Sequence, residues 1–91
     1  MSKIIFVKYL VTNKDYEITV QPEEKVKDLK SRIESLLTIK LKNKLMIKHK
    51  NRPTPTNLNL EDETIKQAKI KTGDLIIIGK NDVAGGKKMP N

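Results

Sequence analysis

Four consecutive aliphatic residues, Leu75-Ile76-Ile77-Ile78, set the tightest constraint on how this chain of 91 residues can fold. The run is too short for a helix and lies between a turn sequence, Thr72-Gly73-Asp74, and Gly79. It reads as a β-strand that is apolar on both faces, as a strand in the middle of a sheet must be. Beyond Ile78 the residues are too polar to bury themselves, so residues 79–91 are expected to extend into solvent. That stretch carries Gly85-Gly86 and a short basic remainder, residues 87–91. A folded body ending in a glycine-bearing thread points to a protein that acts through its own carboxyl terminus.

The rest of the chain supplies the partners such a strand needs. Residues 2–10 (SKIIFVKYL) form a β-branched and aromatic run with Ile5 and Val7 on one face. Residues 16–20 alternate, with Tyr16, Ile18 and Val20 on one side, and Asn13 and Asp15 suit the loop between the two runs. Pro22 closes this hairpin, and Glu23-Glu24 lie where a helix amino terminus favours negative charge. From Val26 the apolar spacing becomes helical through Leu29, Ile33 and Leu36 or Leu37, giving a helix over residues 25–37 with no strong N-cap residue. Ile39 and Leu41 are expected under the end of that helix. Residues 44–50 read as a third strand, with Leu45, Ile47 and His49 on one face and Met46, Lys48 and Lys50 on the other. Pro53 and Pro55 make residues 51–59 a loop. Leu60 marks a return to the core, Thr64 or Asp62 caps a helical turn over 64–68, and Ile65 and Ile70 anchor it. The order is strand, strand, helix, strand, irregular segment, strand: one helix on one face of a mixed sheet, with the last strand beside the first.

Composition narrows the chemistry. The net charge is +8, and of the 19 basic residues only Arg32 and Arg52 are arginine. Such a surface attracts acidic partners, nucleic acid included, but lysine lacks the planar fork that gives specific phosphate recognition. A solvated lysine coat is therefore favoured over nucleic-acid binding. There is no cysteine, which excludes disulfides, thiolate catalysis and cysteine-held zinc. His49 is the lone histidine and reads as a strand residue at a sheet edge. The carboxylate run Glu61-Asp62-Glu63 reads as a solvated helix start. No catalytic constellation or cofactor motif is visible, so neither an enzyme nor a bound cofactor is expected. No apolar run approaches the roughly twenty residues of a membrane span, so a cytosolic monomer is expected.

The order of these words resembles ubiquitin and its β-grasp relatives. Ile5-Phe6-Val7-Lys8 with Leu10 is similar to the first ubiquitin strand and the loop after it. Ile18, Val20 and Pro22, then Val26, Leu29, Lys30, Ile33 and Ile39, follow at similar spacing. Leu60-Glu61-Asp62, Thr64-Ile65 and Ile70 resemble the approach to the last strand. The resemblance runs over residues 4–78. Residues 51–59 are longer than the matching loop, lysines follow the helix where ubiquitin has prolines, and the tail lacks the arginines that precede ubiquitin's paired glycines. The resemblance implies an α+β fold, a mixed four- to five-stranded sheet with one helix on one face. It implies a domain over residues 1–79 and a flexible tail over 80–91.

The resemblance also implies a function. Conjugated relatives end in a diglycine that an activating enzyme adenylates and that finishes in an isopeptide bond to a lysine. On that pattern the chain is a precursor, cut after Gly86 by a protease that removes residues 87–91. Its partners are then an activating enzyme, conjugating enzymes and target lysines. The eight residues 79–86, at about 3.3 Å each, would reach about 26 Å from the body. Lys8, Lys30, Lys50 and Lys71 lie near ubiquitin's chain-linkage positions and are the candidate acceptors. With Leu75 and Ile77 turned to the helix, Ile76 and Ile78 would face outward beside Leu10 and Met46 or Ile47, as the apolar face read by receptor domains. Two alternatives remain: a non-conjugated module binding protein through that face, or an RNA-binding domain. A splicing-factor domain of this fold carries a similar diglycine followed by basic residues, here Gly85-Gly86-Lys87-Lys88. The scarcity of aromatic residues disfavours base stacking.

Overall fold

The computed structural model describes residues 2–58 and 62–84. The two alternating runs form β1 (Lys3–Tyr9) and β2 (Lys14–Val20), paired antiparallel with Ile5 opposite Ile18 and Val7 opposite Tyr16. Asn13 takes the left-handed backbone that closes the loop between them (φ 57°), a conformation its short polar side chain tolerates. Helix α1 (Val26–Leu37) buries Val26, Leu29 and Ile33. It has no side-chain cap at its amino end. Its Val26 N–H is instead taken by the Glu63 carbonyl at 2.8 Å, and the Ile65 N–H returns to the Glu24 carbonyl at 2.7 Å. The irregular segment thus satisfies a helix end that the local sequence leaves open. Arg32 braces the same corner, with Nη1 2.9 Å from both Glu24 carboxylate oxygens and Nη2 donating to the Thr19 carbonyl at 2.8 Å.

After the helix come β3 (Lys40–Leu41), β4 (Met46–Lys48), β5 (Thr56–Asn57), β6 (Leu75–Ile78) and β7 (Val83–Ala84). The main sheet has the order β2-β1-β6-β4-β5, and β3 pairs with β7 in a separate two-stranded piece. The doubly apolar strand β6 therefore sits in the centre, parallel to β1 and antiparallel to β4. Only Met46–Lys48 of the expected third strand is paired as strand, and the 51–59 loop contains β5, which pairs with β4 just after Pro55. The core gathers Ile5, Val7, Ile18, Val20, Leu29, Ile33, Ile47, Ile65, Ile70, Ile76 and Ile78 between sheet and helix. Leu41, expected beneath the helix end, is buried there, and Leu58 closes the core from the loop. Leu60, the expected point of return, lies outside the described residues. Residues 64–68 make the expected single helical turn, with the Ala68 N–H donating to the Thr64 carbonyl at 2.9 Å and Thr64 Oγ1 capping it by accepting the Gln67 N–H at 3.1 Å.

Candidate functional site: the bare sheet face and the clasped end

The register fixes which side chains leave the core. Along β6, Ile76 and Ile78 are buried against the helix, while Leu75 and Ile77 lie on the other face. This reverses the phase expected from the sequence. Ile47, Ile76 and Ile78 are core residues and form no outer face. The reversal follows from the long-range pairing at the start of the strand. The Phe6 N–H donates to the Asp74 carbonyl at 3.0 Å, which sets β6 against β1 with Val7 beside Ile76. Val7 faces the helix, so Ile76 must.

The outward face is built from other residues. Phe6 pairs with Leu75, Lys8 with Ile77, Met46 with Ile77 and Lys48 with Leu75. Ile4, Phe6 and Met46 are each about 40% exposed, and Leu75 and Ile77 are half-buried. Leu10 and Val11 add exposed apolar surface in the neighbouring turn. Five apolar side chains on three adjacent strands thus form one strip, with Lys8 and Lys48 set among them. Of the five predicted face residues, Leu10 and Met46 are exposed and only Met46 lies within the strip. Ile4, Phe6, Leu75 and Ile77 were missed. A strand apolar on both faces carries no phase signal of its own, but the neighbouring Lys8 and Lys48, which must face water, could have supplied it.

The carboxyl end departs from expectation more sharply. Residues 79–84 do not extend into solvent. Lys80–Asp82 form one 3-10 turn, and Val83 and Ala84 pair with Leu41 and Lys40. Asp82 is the clasp. Its Oδ2 accepts the Gly79 N–H at 2.8 Å, its Oδ1 accepts Asn43 Nδ2 at 2.9 Å, and its carbonyl accepts the Lys42 N–H at 2.9 Å. Val83 packs against the core. Six of the eight residues of the expected thread, 79–84, are held against the body. Gly85, Gly86 and residues 87–91 lie outside the described residues. The signal for this was modest: a turn-forming Asp three residues beyond Gly79, followed by the first apolar side chain after it.

Sequence reasoning also missed Asp74, whose carboxylate is the sole buried ionisable group among the described residues. It accepts the N–H of Lys50 at 2.9 Å and of Lys71 at 2.9 Å, and His49 Nδ1 lies 2.8 Å from its Oδ2. Burial works to raise its pKa, but the two backbone donors and His49 outweigh that and hold it below the ordinary carboxylate value. His49 is therefore a bracket between β4 and the turn before β6, not a sheet-edge residue. The candidate acceptor lysines separate by environment. Lys8 lies 3.6 Å from Asp15, Lys30 is half-buried on α1, and Lys50 and Lys71 line one cavity. Of the carboxylate run, Asp62 is exposed beside Lys27 at 3.7 Å. Among the described residues, no three acidic or histidine side chains are grouped to hold a metal ion.

No protein-family model matches the chain, and no curated protein matches it in sequence. Solved structures match it by shape. The C-terminal ubiquitin-like domain of mouse tubulin-specific chaperone e is 14% identical with a TM-score of 0.75, over 98% of this chain and 93% of that one. The ubiquitin-like domain from tubulin-binding cofactor B is 16% identical with a TM-score of 0.74, over 98% of this chain and 100% of that one. Caldiarchaeum subterraneum ubiquitin is 17% identical with a TM-score of 0.67, over 93% of this chain and 100% of that one. With one helix on a five-stranded mixed sheet, this chain has the ubiquitin-like β-grasp fold of the α+β class.

Proposed function

We propose that the chain is a non-catalytic docking module that binds partner proteins through the strip formed by Ile4, Phe6, Leu75, Ile77 and Met46. The observation that carries this reading is the exposure of large apolar side chains in register across three strands, on the face opposite the helix. A soluble domain gains nothing from apolar surface gathered there unless something covers it. Lys8 and Lys48 give the strip a cationic margin, so the fitting partner presents an apolar ridge flanked by carboxylates. The clasp at Asp82 supports a module that works without its tail, because the last pairing holds residues 83–84 to β3.

Conjugation is the second reading, favoured by one observation: Gly85-Gly86 follows directly on β7, beyond the last strand of a fold that ubiquitin shares. Loading onto an activating enzyme would then require β7 to peel from β3 and a protease to expose Gly86. The two readings separate in cells. A photo-crosslinking residue at position 6 of an amino-terminally tagged chain is expected to trap a partner, and denaturing gels without irradiation are expected to show only the free chain. A ladder of adducts that survives denaturation without irradiation, joined through Gly86, would replace the docking module with the modifier.

A further inference from the structure

The loop after β4 and the turn before β6 border a half-open cavity of about 180 Å³ that the docking strip does not use. Its walls include His49, Lys50, Arg52, Lys69 and Lys71, with Asp74 also contributing. Four permanent cations thus border one small space. The single carboxylate among them is already committed: Asp74 Oδ1 takes the Lys50 N–H, and Oδ2 takes the Lys71 N–H and His49. Among the described residues, none of the four cationic side chains has an ion-pair partner. Two unusual backbone positions shape this border. Lys69 adopts a left-handed conformation (φ 60°), and Gly73 does likewise (φ 94°). A Cβ on Gly73 would meet Lys50 Cδ at 3.2 Å, so the stem of Lys50 lies across the bare glycine. Left-handed backbone at a non-glycine residue tends to mark functional sites.

We infer that this cavity binds one phosphate monoester dianion. Like charges crowded round a small space repel one another, and a doubly charged anion among them turns that repulsion into attraction. Lysine ammonium groups suit a compact tetrahedral oxyanion, which they meet as point charges. The volume admits one such group with room beside it, and no Phe, Tyr or Trp lines the cavity to stack a base. The phosphate is borne either by a phosphoserine of a partner protein or by a small phosphorylated molecule. This inference is independent of the docking strip, which lies on the sheet face.

The test is a backbone amide shift titration of the full chain at physiological salt. The probes are O-phosphoserine, a phosphoserine peptide with neutral glycine flanks, and a uridine oligonucleotide. Shifts confined to residues 49–52 and 69–74 are expected with both phosphoserine probes. Tighter binding of the peptide assigns a protein-borne phosphate, and equal binding assigns a small molecule. The double variant Lys50→Gln/Lys71→Gln is expected to weaken binding about tenfold or more, as loss of charge-assisted hydrogen bonds does. Lys14→Gln/Lys27→Gln, with the same net charge, should change it less than about twofold. Equal losses in the two double variants, no local shift with either phosphoserine probe, or stronger binding of the oligonucleotide at the same residues would each overturn the inference.

Discussion

At the scale of single residues, Asp74 does the most for its size. Replacing it with Ala strips the Lys50 and Lys71 N–H groups of their acceptor, and each partly buried orphan costs about 1–3 kcal/mol. Asp74→Ala is accordingly expected to lose about 2–4 kcal/mol in urea unfolding. Its carboxyl pKa is lowered on folding, so the unfolded chain takes the proton first as pH falls. The contribution is therefore fully present above about pH 4, near the unfolded value, and is lost as pH falls through the folded pKa. Asp74→Asn should flatten the stability profile over that acid range, which melts at stepped pH values will show. Nothing in the sequence around Asp74 announces this role. An Asp after Thr-Gly reads as a turn residue, and its partners at His49 and Lys50 come from 25 and 24 positions away. The β6 phase was hidden for a related reason. Its four aliphatics fit either face, and only the long-range pairing of β1 with β6 decides between them. Ile76→Ala, which opens a cavity, should cost about 2–5 kcal/mol, and Phe6→Thr on the outer face less than about 1.

At the scale of elements, the hairpin and the helix were legible because each carries its own period, and both formed where that period put them. The short pieces β3, β5 and β7 were not legible, since two-residue strands have no period to read. They exist because β4 and the 40–43 segment offer unpaired backbone groups to whatever the chain brings back. The end of α1 shows local sequence yielding to its surroundings. Thr38 is held left-handed (φ 57°), donating its N–H to the Glu34 carbonyl, although a β-branched side chain disfavours that conformation. Its side chain is exposed, so Thr38→Gly loses no packing. The exchange should raise stability by about 1 kcal/mol, visible as a higher melting temperature. The β7 clasp is testable in the same way. Asp82→Ala removes the acceptor for Gly79 and Asn43, and the amides of Val83 and Lys42 should then exchange with solvent faster by about tenfold or more, while the amides of β1 keep their protection.

At the scale of the whole molecule, a small mixed sheet backed by one helix buries one face and leaves the other bare for the docking role proposed above. The helix side holds the core, the opposite side holds the apolar strip with its lysines, and the chain end is tied down beside β3. The architecture could be read from the sequence in outline; the placement of the exposed apolar strip could not, because it turns on one residue of register. The most direct measurement compares partner retention by two altered chains: Phe6→Thr/Met46→Thr, and a chain ending at Ala84. The account predicts that the double substitution loses the partner by at least about tenfold while the shortened chain keeps it within about twofold. Retention by the substituted chain together with loss by the shortened one would contradict the account and return function to the residues beyond Ala84.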